Sequence, residues 1–179
     1  MSQVDRPFEI IAMDSVGGFN YYNSAKKYLT LEIDHHIQYL WSFAYKSETA
    51  ETYVNCLNQI FQIQTPKNIL TDKNATFTSS RFKKILKHCK IKQLLTTAFR
   101  PETNGKVERL GQTIVTRLKC KINDSSKKNP WPKLLKEVAE EYNLTPNSVT
   151  KFQPVYLMFG TAPFNHPLSE EIYPPIEEA

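Results

Sequence analysis

The sequence predicts an α/β domain: a mixed five-stranded sheet, with three antiparallel strands first and parallel strands after, flanked by helices. Two observations lead there. Three strand-like segments open the chain with no helix between them, and two of these are separated by only four residues, 35 to 38. Beyond residue 46 the hydrophobic period switches to helical spacing and then alternates helix, strand, helix, strand, helix, helix. A hairpin start followed by strand–helix alternation gives a mixed sheet covered by helices on its faces.

Each element has a local cause. Residues 8 to 13 form an apolar run that reads as a buried strand, ending at Asp14 and followed by Gly17-Gly18. "YLTLEID" (28 to 34) and "YLWSFAY" (39 to 45) carry the aromatic and branched residues of a hairpin. In "SETAETYVNCLNQIFQIQ" Val54, Leu57, Ile60 and Phe61 recur at helical spacing; Ser47 or Thr49 caps the start and Pro66 ends the segment. "NIL" (68 to 70) is a short strand that stops at Thr71-Asp72. "SSRFKKILKHCK" is an amphipathic helix with Phe82, Ile85 and Leu86 inward, and "KQLLTTA" is the fifth strand. Asn104-Gly105 reads as a mobile loop before a long helix to Ile122, whose inner face is Val107, Leu110, Ile114, Leu118 and Ile122. After the break at "SSKKNP", Trp131-Pro132 opens a last full helix, with proline in the first turn where its missing N–H costs nothing. Phe8, Tyr28, Trp41, Phe43 and Phe61 are read as core, and Trp131 as core or subunit contact.

Bulk properties narrow the class. With 40% apolar residues among 179, the chain has the composition of a folded domain. No apolar run approaches a membrane span. Cys56, Cys89 and Cys120 are an odd number without a CxxC pair, as expected of reduced thiols. Residues 161 to 179 hold four acids and no Lys or Arg, so residues 1 to 160 hold all 23 bases against 14 acids. A basic body of that kind suits a polyanion such as nucleic acid. The chain divides into a core, residues 1 to 163, and a proline-rich acidic tail, 164 to 179, read as extended or disordered.

The candidate chemistry lies in three acids. Asp14 and Asp72 end strands, and strand ends are where ligands collect in open α/β sheets. Glu108 lies in the first turns of the long helix at the border of its apolar stripe, and Gln112 and Lys119 project to its side. Three converging carboxylates repel one another unless a cation sits among them. An all-oxygen set without His or Cys nearby favours Mg²⁺ or Mn²⁺ over zinc, and two such ions suit attack at a phosphate. Lys73, Asn74, Arg100, Asn104, Lys106, Arg109 and Lys119 flank this site as candidate DNA-phosphate contacts. Asp34 beside His35-His36 has a metal-like look but falls in the hairpin turn, where Asp serves the backbone.

The stretches "MDSVGGF", "ILTDKNATFTSSRFKKILKHCKIKQLLTTAFRPETNGKVERLGQTI" and "FQPVYLMFG" resemble the catalytic core of retroviral and retrotransposon integrases, most nearly those of Gypsy-type elements. That family separates its last two acids by 35 residues, and residues 73 to 107 number 35 here. The resemblance runs from about residue 7 to 163. It implies an RNase H-like fold and a two-metal polynucleotidyl transferase with Asp14, Asp72 and Glu108 as catalytic and metal-ligating residues. It also implies 3′-end processing and strand transfer on DNA, work in the nucleus after synthesis in the cytoplasm, and dimers or higher forms. The helices near 131–144 and 48–63 are the candidate contacts.

Departures from the family pattern are Asn74 in place of Gly, Gly111 in place of Asn, and Ser15-Val16-Gly17-Gly18 in place of a bulky residue and Gly-Pro. Asn tolerates the left-handed backbone that glycine often serves, so the loop around Asn74 is expected to survive the change. The four histidines and three cysteines do not supply the family's zinc module, so no zinc is expected. The chain reads as a core alone: an excised domain, a polyprotein fragment or a host-adopted product. The alternative function is a catalytically weak or inactive core serving as a DNA- or protein-binding module.

Overall fold

The computed structural model describes residues 4–19, 24–96, 101–124 and 129–161, with 101–108 described by backbone alone. The acidic tail and Arg100 lie outside these residues. The elements are β1 (Ile10–Val16), β2 (Tyr28–Asp34), β3 (Leu40–Tyr45), α1 (Ala50–Phe61), β4 (Asn68–Thr71), α2 (Ala75–Thr78), α3 (Ser80–His88), β5 (Lys92–Leu95), α4 (Pro101–Asp124), α5 (Trp131–Asn143) and α6 (Pro154–Phe159).

One sheet runs in the order β3-β2-β1-β4-β5. β1 pairs antiparallel with β2 and parallel with β4; β2 and β3 are antiparallel, and β4 and β5 parallel. The expected mixed sheet of three antiparallel strands followed by parallel ones is therefore present. Side chains alternate across it, as the pleat requires. Ile11 and Met13 point into a core built with Tyr53, Leu57 and Ile60 of α1 and Phe82 and Leu86 of α3. Ile10, Ala12, Ile33 and Leu70 point to the other face, where Leu110 of α4 packs on them. Leu29, Leu31 and Leu40 continue that face under Ile114, Leu118 and Ile122 of α4 and Leu134, Leu135 and Val138 of α5. Each of these side chains contributes roughly 1.5–3 kcal/mol when fully buried.

Edge strand β3 is covered at one end. Asn143 at the close of α5 accepts from the Leu40 N–H at 2.9 Å and donates to its carbonyl at 2.8 Å, occupying backbone groups that an open edge leaves bare. Trp131 is 1% exposed, stacks on Phe19 with centroids 4.9 Å apart, and donates from Nε1 to the Lys26 carbonyl, so it is core. Phe8 is likewise buried, while Tyr28, Trp41, Phe43 and Phe61 pack half-buried against the α1 side. Thr49, not Ser47, caps α1, its hydroxyl accepting from Thr52 N.

Three expectations are corrected and one element is added. β1 starts at Ile10, because Phe8 has φ 60°, a left-handed conformation that no strand continues. β1 also runs past Asp14 to Val16, because Ser15 and Val16 keep pairing with Thr30 and Leu29. α4 begins at Pro101, so Asn104-Gly105 lie within the helix and not in a loop before it; proline at the first helical position is the signal that was passed over. A one-turn helix, α2, precedes α3. Asn74 caps it through Thr76 N at 2.9 Å and has φ −50°, so its backbone is not left-handed and its amide serves as a cap instead.

Candidate active site

The site forms where β1 and β4 run side by side. Their parallel register pairs Ile11 with Ile69, Ala12 with Leu70 and Met13 with Thr71. One further step sets Asp14 beside Asp72, just past the last residue of β4. Parity fixes the face. Asp14 follows Ala12 by two within β1, so it belongs to the face that α4 covers; Asp72 leaves the end of β4 beside it.

Gly111 carries α4 across this point. A Cβ added to it would stand 3.4 Å from Asp14 Oδ2. Glu108 precedes Gly111 by three residues, less than one helical turn, and so lies on the same helix face. Its side chain lies outside the described residues, as do those of Asn104 and Lys106. The backbone thus brings the segments bearing all three acids to one end of the sheet.

Local hydrogen bonds hold the two aspartates. Asp14 Oδ1 accepts from Ser15 N at 2.8 Å. Asp72 is exposed, and its Oδ1 accepts from Asn74 N at 3.0 Å. Gln93 of β5 clamps the loop after Asp72 from below, its Nε2 donating to Thr71 Oγ1 at 2.9 Å and to the Phe77 carbonyl at 3.0 Å. Beyond β1 the chain turns away at Gly18, whose φ of 89° favours glycine.

Among the flanking residues, Lys73 and Arg109 are exposed beside the acids in sequence, while Asn74 is partly buried by its capping role. Lys119 is exposed but stands eight residues past Gly111, about 12 Å along the helix axis, so it is not at the acids. Gln112 is exposed next to Gly111.

Beneath Asp14, on the opposite face of the sheet, lies a buried polar layer that sequence reasoning missed. Ser15 Oγ donates to Glu48 Oε1, and Tyr53 OH donates to the same oxygen at 2.7 Å. Tyr45 OH reaches Tyr53 OH and Ser15 Oγ, each at 3.3 Å. Burial lifts the Tyr45 phenol to about 12 and the Tyr53 phenol further, so both remain protonated donors.

Glu32 is 0% exposed, and burial pushes its carboxyl up to about 8. Thr30 Oγ1 lies 2.9 Å from both the Asp14 carbonyl and Glu32 Oε1. A hydroxyl has one proton to donate. The Thr30 hydroxyl therefore divides its proton between two acceptors, the Asp14 carbonyl and the Glu32 carboxyl. Alternation along "YLTLEID" was the available signal, since it places Thr30, Glu32 and Asp34 on one face.

Asp34 sits in the turn as expected. Its carboxylate accepts from Phe8 N at 2.6 Å, His36 N at 2.7 Å and Ile37 N at 3.1 Å. His36 Nδ1 is bound to the Val4 carbonyl at 2.8 Å, so Asp34-His35-His36 is a structural knot. Among the described residues no three His, Cys, Asp or Glu side chains converge on a metal position, Glu108 not being included in that statement. The donor set at the sheet end, two carboxylates with no imidazole or thiolate between them, fits a hard divalent cation and not zinc.

Comparison with known proteins gives the family and the fold. Residues 4–101 match the family model described as "Integrase core domain". The Pro-Pol polyprotein of feline foamy virus is 27% identical over 155 residues, covering 87% of the chain and 13% of the polyprotein. The transposon Tf2-3 polyprotein of Schizosaccharomyces pombe is 30% identical over 125 residues, covering 69% of the chain and 9% of the polyprotein. The chain thus spans a small part of the length of these relatives. The HTLV-2 integrase catalytic core domain in complex with magnesium superposes in its trimeric form with a TM-score of 0.69 at 20% identity, over 85% of this chain and 97% of that one; its dimeric form gives 0.67. The fold is RNase H-like, as in these retroviral cores.

Proposed function

Because the chain is an integrase core of the retroviral and retrotransposon type, a member of the integrase core domain family, we propose that it is a divalent-metal-dependent polynucleotidyl transferase that trims and joins DNA. Asp14, Asp72 and Glu108 are its catalytic, metal-binding acids in this reading. The observation that supports it is that the parallel pairing of β1 and β4 carries Asp14 of β1 and Asp72, one residue past β4, to the same sheet end, where α4 passes over Asp14 at Gly111, three residues after Glu108.

Two Mg²⁺ or Mn²⁺ ions held by these acids would supply Lewis-acid activation of the attacking oxygen and charge stabilisation of the leaving one. The rest falls to the chain. Rigid β1 fixes the Asp14 oxygens before substrate arrives, which limits the reorganisation needed in the transition state. The turn at Gly17-Gly18 leaves space for a phosphodiester. Lys73, Asn74, Arg100, Asn104, Lys106 and Arg109 hold phosphates without reading sequence, and Lys119 holds one farther along α4.

In end processing a water oxygen bonds to phosphorus and the P–O3′ bond breaks, leaving a 3′-OH. In strand transfer that 3′ oxygen bonds to a target phosphorus, and the displaced 3′ oxygen of the target takes up a proton. No side chain becomes bonded to DNA.

The HTLV-2 core is known in dimeric and trimeric forms, and a dimer or higher oligomer is proposed here through α1 and α5. These helices flank edge strand β3 around an open groove of about 670 Å³ that includes Ser42, Asn55, Gln59 and Pro132. Work on DNA in the nucleus, after synthesis in the cytoplasm, completes the reading.

Calorimetric Mn²⁺ titration of the parent chain and of Asp72→Asn tests it, together with joining assays on branched DNA. The expected result is binding by the parent alone and joining that Glu108→Gln abolishes. Equal Mn²⁺ binding by both proteins overturns the metal site. DNA binding without joining at saturating Mn²⁺ would leave a binding module in place of an enzyme.

A further inference from the structure

One stretch of charge runs on beyond this site. From Lys73 to Pro101 the sequence has eight Lys or Arg residues and no Asp or Glu. Most of them sit on or just after α3. Phe82 and Leu86 face the core, and Arg81, Lys83, Lys84, Lys87, His88, Lys90 and Lys92 are exposed. Arg81 pairs with Glu51 of α1. Among the described residues no acid is bridged to Lys83, Lys84, Lys87, Lys90 or Lys92.

This arrangement carries local costs. Lys83 and Lys87 are four apart on one helix face, and Lys84 and Lys87 three apart, spacings at which like charges destabilise a helix by a few tenths of a kcal/mol (about 0.2–0.5 each). Lys87 and His88, by contrast, stand in the last turn, where the helix dipole favours cations. Lys90, which follows α3, has φ 57°, a conformation in which glycine is the usual occupant. Its neighbour Ile91 N closes back on the Leu86 carbonyl at 2.9 Å. Two separate local preferences, the like-charge spacings and the backbone at Lys90, are thus set aside where positive charge stands.

Topology gives the run a direction. α3 connects β4 to the parallel β5, so it must travel back along the sheet, from the end that carries Asp72 to the end where Lys92 pairs with Asn68. Nine residues of helix extend about 13 Å, roughly the length of four base pairs of duplex.

We propose that the exposed face of α3, Lys83, Lys84, Lys87 and Lys90 with Lys92 beyond it, is a second duplex-DNA contact surface that leads away from the acidic site and binds phosphates without regard to sequence. This deepens the reading of the chain as a DNA-handling enzyme and rests on it.

The test is fluorescence anisotropy with a labelled duplex of arbitrary sequence, of roughly 30 base pairs, in EDTA so that metal binding plays no part. The variants are Lys83→Ala/Lys84→Ala/Lys87→Ala and, as a control with the same change in net charge outside α1, α3 and α5, Arg6→Ala/Lys121→Ala/Lys151→Ala. Alanine is the better helix former at the α3 positions, and a thermal melt confirms that the variant folds.

The α3 variant is expected to bind on the order of tenfold or more weakly at low salt. The slope of log K against log salt should flatten by about 2 to 3, near 0.9 per phosphate lost. The control should change affinity by less than about threefold. An α3 variant that keeps the parent affinity and slope, or a control that loses as much, overturns the proposal. Mn²⁺ calorimetry on the α3 variant keeps the two readings apart: metal binding there reports on the acidic site, and duplex binding by Asp72→Asn reports on α3.

Discussion

Gly111 of α4 lies against Asp14 of β1: a methyl group in place of its hydrogen would sit 3.4 Å from Oδ2. That separation is ordinary contact, so the helix passes as near to the carboxylate as a small side chain allows. Gly111→Ala should therefore be accepted, and should stabilise the apo protein by roughly 0.5–1 kcal/mol through helix propensity. A thermal melt should show a rise of about 2–4 °C. Gly111→Phe should displace the carboxylate and weaken Mn²⁺ binding while leaving the fold intact.

The parallel pairing of β1 and β4 brings Asp14 and Asp72 to the same end of the sheet, and neighbouring carboxylates repel. Asp14→Asn should leave the metal-free protein as stable as the parent or more so. The parent should gain several degrees of melting temperature with excess Mn²⁺, as binding to the native state requires, and the variant should gain none. Melts with and without MnCl₂ check this.

Glu32 gives a pH signature. Burial raises its carboxyl from the usual 4.5 to about 8. Between those values the folded chain holds a proton that the unfolded chain has released, so stability falls as pH rises through that window. Glu32→Gln keeps the shape and the hydrogen bond with Thr30 without an ionisable proton. It should match the parent near pH 5 and exceed it by a few kcal/mol, roughly 2–4, at pH 9. Urea unfolding at the two pH values measures the difference.

Asp34 holds three backbone N–H groups, those of Phe8, His36 and Ile37. Asp34→Ala leaves them buried with no acceptor. The loss should be on the order of 3 kcal/mol in urea unfolding. Because the role is structural, Mn²⁺ affinity of the folded fraction should not change.

The sheet was readable because strands and helices here differ in period: "YLTLEID" alternates, and Ile114, Leu118 and Ile122 recur every four residues. Elements shorter than a period were not. α2 is one turn long and carries too few apolar residues to show a stripe, although Asn74 was present as its cap. α6 begins at Pro154 and is only six residues long. The start of α4 was hidden because Asn104-Gly105 has loop chemistry, while Pro101, three residues before Asn104, has helix-start chemistry. At the site, the identity and spacing of the three acids were legible, since they lie in the local sequence. The contacts of Glu32, Thr30, Ser15 and Glu48 were not, because they depend on pairing between β1 and β2 and on where α1 docks. Those are distances through space that no single segment encodes.

β1 is the middle strand, with β2 on one side and β4 on the other. Asp14 therefore belongs to the segment whose amides should be the slowest to exchange with deuterium, whereas Asp72 follows a four-residue strand and hangs on a loop. One ligand of the proposed pair is anchored and the other adjustable. Such a site tolerates ions of different radius by moving a single side, which is the behaviour expected of a centre that accepts both magnesium and manganese.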